Sequence, residues 1–163
     1  MFPERLRNLA MLVLDDAEQA RLKIATAESC TGGLLAALFT EIPGSSNVFE
    51  RGFVTYSNRA KEEMLGVPGD ALADYGAVSE PVARMMAEGA LKASRANIAV
   101  GITGVAGPGG GTKMKPVGTV HIACARENRA IIHEQLQLGE IGRDAIRMAS
   151  VESALGLIHA QMR

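Results

Sequence analysis

The stretch Ala27-Glu28-Ser29-Cys30-Thr31-Gly32-Gly33 joins an apolar run, Leu22 to Ala27, to a run of helical character, Leu34 to Phe39. Such a join reads as the end of a strand, a tight turn and a helix over Thr31–Glu41, and it sets the fold class. A serine placed there is lifted to the end of a sheet, beside the positive end of a helix dipole. Gly32 and Gly33 let backbone N–H groups come close to a bound molecule. A serine nucleophile with an oxyanion hole needs those features. An ordinary N-cap needs only the serine. By itself the motif favours the cap, and the remainder of the chain shifts the balance.

Upstream, Leu6, Leu9, Ala10, Val13 and Ala17 recur at helical spacing within Phe2–Ala20, with Pro3 suited to the first turn. Leu22–Glu28 is the first strand. Downstream, Pro43-Gly44-Ser45-Ser46-Asn47 ends the second helix in a loop. Val48–Ser57 reads as a strand and Asn58–Leu65 as a short helix carrying Lys61, after which Pro68-Gly69 breaks the chain. Ser79 caps the next helix, with Pro81 in its first turn and Val82, Met85, Met86 and Gly89 on its inner face. Asn97–Thr103 is almost continuously apolar, the pattern of a buried central strand. Gly118–Arg126 and Ala130–Leu138 flank Glu127-Asn128-Arg129 as a hairpin, and a last helix runs from Gly139 to the end. Early crossovers favour parallel pairing, while the hairpin forces one antiparallel pair. The predicted fold class is α/β: a mixed five-stranded sheet with helices on both faces, in a single domain over residues 1–163.

A chain of 163 residues, 47% of them hydrophobic, suffices for one domain with a real core. A formal net charge of −1 without charge runs provides no electrostatic surface for nucleic acid or membrane. Four Phe, two Tyr and no Trp offer no base-stacking platform. No apolar run is long enough to span a bilayer and no secretory pattern opens the sequence, so a cytoplasmic location is expected. Cys30 and Cys124 form no metal-ligand pattern with His121, His133 and His159, and no metal or other cofactor is expected. Apolar helix faces point to a homo-oligomer.

Three further segments carry chemistry. Tyr56-Ser57-Asn58 precedes Lys61, with Asn58 a candidate helix cap. Lys61 stands early in its helix, against the dipole, which suits a lysine with a task. Near Ser29 and partly desolvated, its pKa would fall, and the neutral amine could take the serine proton. The competing reading is a solvated lysine beside Glu62 and Glu63. Tyr56 fits either the edge of the core or a hydroxyl relay. Five of the eighteen glycines fall within Gly104–Gly111, directly after the most apolar strand. Ligands bind beyond the carboxyl ends of strands in open α/β sheets, and this donor-rich loop suits a sugar or phosphate as well as it suits a mobile surface turn. It is neither a Walker loop nor a dinucleotide fingerprint. Lys113 and Lys115 could help hold an anion or stay solvated. Arg143 and Arg147 lie one turn apart on one helix face. An anionic ligand would relieve the conflict between Arg143 and the helix dipole; alternatively both pair with Glu140 and Asp144. Cys30 is a rival nucleophile, since a thiol at a helix N-terminus can have a lowered pKa, but no histidine stands in a supporting motif.

The motifs Ala-Glu-Ser-Cys-Thr-Gly-Gly, Tyr-Ser-Asn-x-x-Lys, Gly76-Ala77-Val78-Ser79, Thr-Gly-x-Ala-Gly-Pro and Lys115-Pro116-Val117-Gly118-Thr119-Val120 occur in that order. Together they resemble the C-terminal domain family of the competence/damage-inducible protein CinA, over almost the whole chain. The resemblance implies a three-layer α/β/α sandwich around a mixed five-stranded sheet. It also implies the activity of the family's stand-alone amidases: hydrolysis of the carboxamide of nicotinamide mononucleotide to nicotinate mononucleotide and ammonia, in bacterial pyridine-nucleotide salvage. Carried over by motif, Ser29 and Lys61 are the expected catalytic pair, with Tyr56 assisting. Backbone N–H groups of Cys30, Thr31, Gly32 and Gly33 are expected to hold the oxyanion. Asn58, Thr103, Gly104, Ala106, Gly107 and Arg143 are expected to bind the rest of the nucleotide, Arg143 at its phosphate. Longer CinA proteins carry an N-terminal domain resembling molybdopterin-binding proteins; nothing belonging to that domain is carried over. The competing expectation is a non-catalytic nucleotide-binding or regulatory module of the same family, which would need the glycine loop and Arg143 but neither Ser29 nor Lys61.

Overall fold

In a computed structural model that describes residues 1–163, strand β1 (Ile24–Glu28) is buried along its whole length. It pairs in parallel with β2 (Phe49–Val54) on one side and β3 (Ile98–Gly104) on the other. Strand β4 (Thr119–Arg126) runs antiparallel to β3, and β5 (Ile132–Gln137) antiparallel to β4, giving the order β2-β1-β3-β4-β5. There are thus two antiparallel pairs where the hairpin alone predicted one. The physical reason lies in the connection. Parallel neighbours need a long crossover, usually a helix. Helices separate β1 from β2 and β2 from β3, but the link from Val105 to Gly118 contains none, and β4 folds straight back.

Helices α1 (Glu4–Gln19), α2 (Leu34–Glu41) and α6 (Arg143–Gln161) cover one face of the sheet, and α3 (Asn58–Leu65), α4 (Gly69–Tyr75) and α5 (Glu80–Lys92) the other. The strands sort their side chains accordingly. Ile24, Ile98, Val100, Ile102, Val120 and Ile122 join the larger core with α1, α2 and α6. The opposite face carries Ala25, Ala27, Ala99, Gly101, Ala123 and Ala125, so α5 approaches closely through Ala83, Ala87 and Ala90. At Gly101 an added Cβ would stand 2.8 Å from the Ala83 carbonyl oxygen and 2.9 Å from the Ala87 nitrogen. Gly101→Val is therefore expected to push α5 off the sheet, costing about 1–3 kcal/mol and roughly 2–12 °C of thermal midpoint. A variant melting at the wild-type temperature would contradict this packing.

Local boundaries follow local chemistry. Helix α3 spans Asn58–Leu65 as predicted, but its cap is Ser57, whose Oγ accepts from the Ala60 N–H at 3.0 Å. Asn58 is the first helical residue instead, because the neighbouring hydroxyl has the extended backbone a cap requires. Ser79 caps α5 as expected, accepting from Val82 N–H at 3.3 Å. Pro68 does more than break the chain: helix α4 follows it directly, because its fixed φ leads into a helix. Helices α2 and α6 start at Leu34 and Arg143, later than Thr31 and Gly139. No helix is long and apolar enough to cross a membrane.

Candidate active site

Ser29 follows β1 directly, and its N–H donates to the Ile102 carbonyl at 2.9 Å. The β1–β3 ladder thus continues past the strand and holds the serine at the carboxyl edge of the sheet. Lys61, in the first turn of α3, reaches the same point and is only 1% exposed. Its Nζ lies 3.0 Å from Ser29 Oγ, 3.0 Å from the Thr55 carbonyl and 3.4 Å from the Tyr56 carbonyl. Burial pushes the Lys61 ammonium below the ordinary lysine value. A neutral amine has two N–H groups and one lone pair. The two carbonyls take the N–H groups, which leaves the lone pair facing the Ser29 hydroxyl.

The turn after Ser29 differs from its predicted form. Glu28, 1% exposed, accepts from the N–H groups of Leu35 (2.9 Å) and Ala36 (3.1 Å). A carboxylate therefore fills the positive end of α2, and Ser29 is not its cap. Thr31, Gly32 and Gly33 stand before the helix, with Gly33 at the cap position in a left-handed conformation (φ 102°). Arg147 is not an exposed anion binder or a partner of Glu140 and Asp144. Its Nε donates to the Cys30 carbonyl and its Nη2 to the Thr31 carbonyl, both at 3.1 Å. Burial pushes the Cys30 thiol up to about 11, so thiolate is scarce near neutral pH and the thiol reading loses its chemical basis.

A pocket of about 310 Å³ opens over this edge. It brings together Ser29, Cys30, Tyr56, Asn58, Lys61, Thr103, Gly104, Ala106, Gly107 and Arg143. Thr31, Gly32 and Gly33 do not line it, because the chain turns there toward α2 and Arg147. Ala77 and Val78 form part of the wall, and Thr103 Oγ1 donates to the Ala77 carbonyl at 2.9 Å. At the far end, Arg143 donates through Nη1 to the Gly107 carbonyl (2.6 Å) and through Nη2 to the Tyr56 hydroxyl (3.3 Å). Tyr56 is 64% exposed, which excludes the core-edge reading; its carbonyl meets Lys61 and its hydroxyl meets Arg143. Arg143 opens the 19-residue α6, whose N-terminus has no side-chain cap. Uncapped helix amides and a guanidinium together favour an anion. Lys115 is occupied elsewhere, donating to the Tyr75 carbonyl at 2.5 Å and tying the glycine loop to the end of α4. No group of three or more His, Cys, Asp or Glu side chains is arranged to hold a metal ion.

Sequence reasoning assigned no part to Glu28, Ala77, Val78 or a turn-bracing Arg147. Glu28 had a usable signal, a lone carboxylate ending an apolar strand just ahead of a helix. Ala77 and Val78 lay within a quoted motif. The Arg147 contacts had none, because any residue can offer a backbone carbonyl.

The family model described as the CinA C-terminal domain matches residues 6–162. A CinA-like protein of Akkermansia muciniphila is 49% identical over 156 residues, covering 96% of this chain and 38% of its own length. A CinA-like protein of an Anaeromyxobacter species is 48% identical over 163 residues, covering 100% and 39%. The chain therefore spans well under half the length of these curated relatives. Among solved structures, the competence/damage inducible protein CihA from Agrobacterium tumefaciens superimposes with a TM-score of 0.98 at 50% identity, covering 100% of this chain and 99% of that one. A CinA superfamily protein from Escherichia coli superimposes with a TM-score of 0.90 at 30% identity, covering 99% and 94%. The five-stranded mixed sheet between two helical layers is the fold of these proteins.

Proposed function

The chain belongs to the CinA C-terminal domain family, and on that premise we propose that it is a serine–lysine amidohydrolase that converts nicotinamide mononucleotide to nicotinate mononucleotide and ammonia. The observation that carries the reading is the 3.0 Å approach of Lys61 Nζ to Ser29 Oγ at one end of a pocket whose other end holds Arg143. Neutral Lys61 takes the Ser29 hydroxyl proton as Oγ bonds to the carboxamide carbon. The carbonyl oxygen becomes an oxyanion held by backbone N–H groups of the turn after Ser29. Lys61 then returns the proton to the amide nitrogen, the C–N bond breaks, and ammonia leaves an acyl-serine. A water molecule gives a proton to Lys61 as its oxygen bonds to the ester carbon; Lys61 passes that proton to Ser29 Oγ as the C–O bond breaks, and the acid product ionises to its carboxylate. Lys61 is the proton donor in this reading, since its Nζ lies 3.0 Å from Ser29 Oγ and carries the proton it has just taken.

Arg143 and the N-terminus of α6 hold the phosphate in this reading, which selects the nucleotide over free nicotinamide. Losing a charge-assisted hydrogen bond costs about 1.5–3 kcal/mol. Arg143→Ala is thus expected to weaken nucleotide binding roughly 10- to 150-fold, with little effect on any activity toward free nicotinamide. Calorimetric titration with the nucleotide checks this, and wild-type affinity in the variant would remove the phosphate role. The reading as a whole is tested by incubating the pure protein with nicotinamide mononucleotide and following ammonia. A folded protein that binds the nucleotide and releases none would be the non-catalytic module.

A further inference from the structure

Arg147 is half-buried on α6, one helical turn after Arg143, and the chemistry described above does not use it. Its guanidinium instead spans two consecutive carbonyls of the nucleophile turn, Cys30 and Thr31, both at 3.1 Å. We propose that Arg147 is a positioning residue that fixes the peptide planes after Ser29 and so keeps the Cys30 N–H, at the pocket wall, facing the reacting carbonyl oxygen. This rests on the amidase reading of the same pocket.

In a trans peptide the C=O and N–H point in opposite directions. Drawing the Cys30 carbonyl toward α6 turns the Thr31 N–H away from α6. The Ser29 carbonyl points into the turn, where it accepts from the Gly32 N–H at 3.1 Å, and this turns the Cys30 N–H outward. The Cys30 N–H donates to no backbone carbonyl, and the acceptor nearest it is its own thiol. A backbone N–H beside a nucleophile that is not committed to the helix or sheet ladders is what an oxyanion hole presents. Cys30 also lines the pocket.

Glycines occupy the two most adaptable positions of this turn. Gly32 (φ 58°) and Gly33 (φ 102°) sit in the left-handed region, where glycine is free to move to other conformations. The Arg147 guanidinium lies against Gly32; a Cβ there would be 3.4 Å from Nη2. A planar fork can hold two successive carbonyls at once, whereas a lysine ammonium is a point donor on a flexible stem.

The experiment compares wild type with Arg147→Ala and Arg147→Lys, each checked for its melting temperature. Loss of an oriented oxyanion donor costs roughly 10²–10³-fold in kcat. Both variants should lose about that much kcat with KM nearly unchanged, and millimolar guanidinium should restore part of it in Arg147→Ala only. Labelling of Ser29 by a fluorophosphonate should slow in parallel and recover with guanidinium. Wild-type kcat and labelling in Arg147→Ala, or a loss that guanidinium does not relieve, would overturn the proposal. Should the alanine variant not fold, Arg147→Lys decides: a kcat loss at constant KM supports the role, and wild-type kcat overturns it. If the wild type itself releases no ammonia, the amidase reading fails separately, and the labelling rates still test the turn.

Discussion

Ser29→Ala is expected to stop ammonia release from nicotinamide mononucleotide, by about 10⁴-fold or more, while the protein stays folded. Removing a covalent nucleophile leaves only binding and oxyanion contacts, and in serine hydrolases such losses reach about 10⁶-fold. The fold should tolerate the change. The serine side chain makes one hydrogen bond, with Lys61, and that lysine keeps the Thr55 and Tyr56 carbonyls as partners. The net cost of one hydrogen bond is about 1 kcal/mol. Cys30→Ala serves as the contrast. Its thiol, pushed up to about 11, has no part in the chemistry, so that variant should keep appreciable activity. Mass spectrometry of the protein quenched during turnover should find the acyl group on Ser29. A folded Ser29→Ala protein with substantial turnover, beside an inactive Cys30→Ala, would move the nucleophile to the thiol.

Lys61→Met should also remove activity, by about 10²–10⁴-fold, the range for loss of a general base. The pH dependence is the sharper readout. Burial lowers the Lys61 pKa from its ordinary 10.5, and only the neutral amine can accept the serine proton. The kcat/KM profile should therefore rise with pH through the folded-state pKa and level off before the ordinary lysine value. The same shift bears on stability. Between the lowered folded-state pKa and 10.5 the unfolded chain binds more protons at this site than the folded one. Stability contributed by this site thus rises with pH across that window, and the penalty for burying the charge is fully felt below it. Lys61→Met should lose both this stability slope and the ascending limb of the rate profile. Denaturant unfolding and kinetics across the pH range check the two together. A limb that survives in the variant would belong to another group.

Elements whose signals are local were legible in the sequence. The apolar run at β3, the cap and proline opening α5, the limits of α3 and the hairpin between β4 and β5 are set by residues a few positions apart. Errors arose where two local signals competed, as at Ser57 and Asn58, or where a proline that begins a helix was read as one that ends it. The antiparallel return of β4 depended on what its connection lacks, which strand periodicity does not report.

The sequence by itself determined the α/β class, the five strands and the residues able to do chemistry, because periodicity, capping and turn chemistry are encoded by near neighbours. It named Ser29 and Lys61, but not their meeting. They are 32 positions apart, and their contact requires β1 and β2 to pair in parallel so that α3 starts beside the serine. Only the tertiary structure gave Glu28 its place at the end of α2 and brought Arg147 across 117 positions to the Cys30 carbonyl. The physical reason is that these partners are backbone groups, which every residue carries alike. Only the folded path of the chain decides which of them a charged side chain will meet.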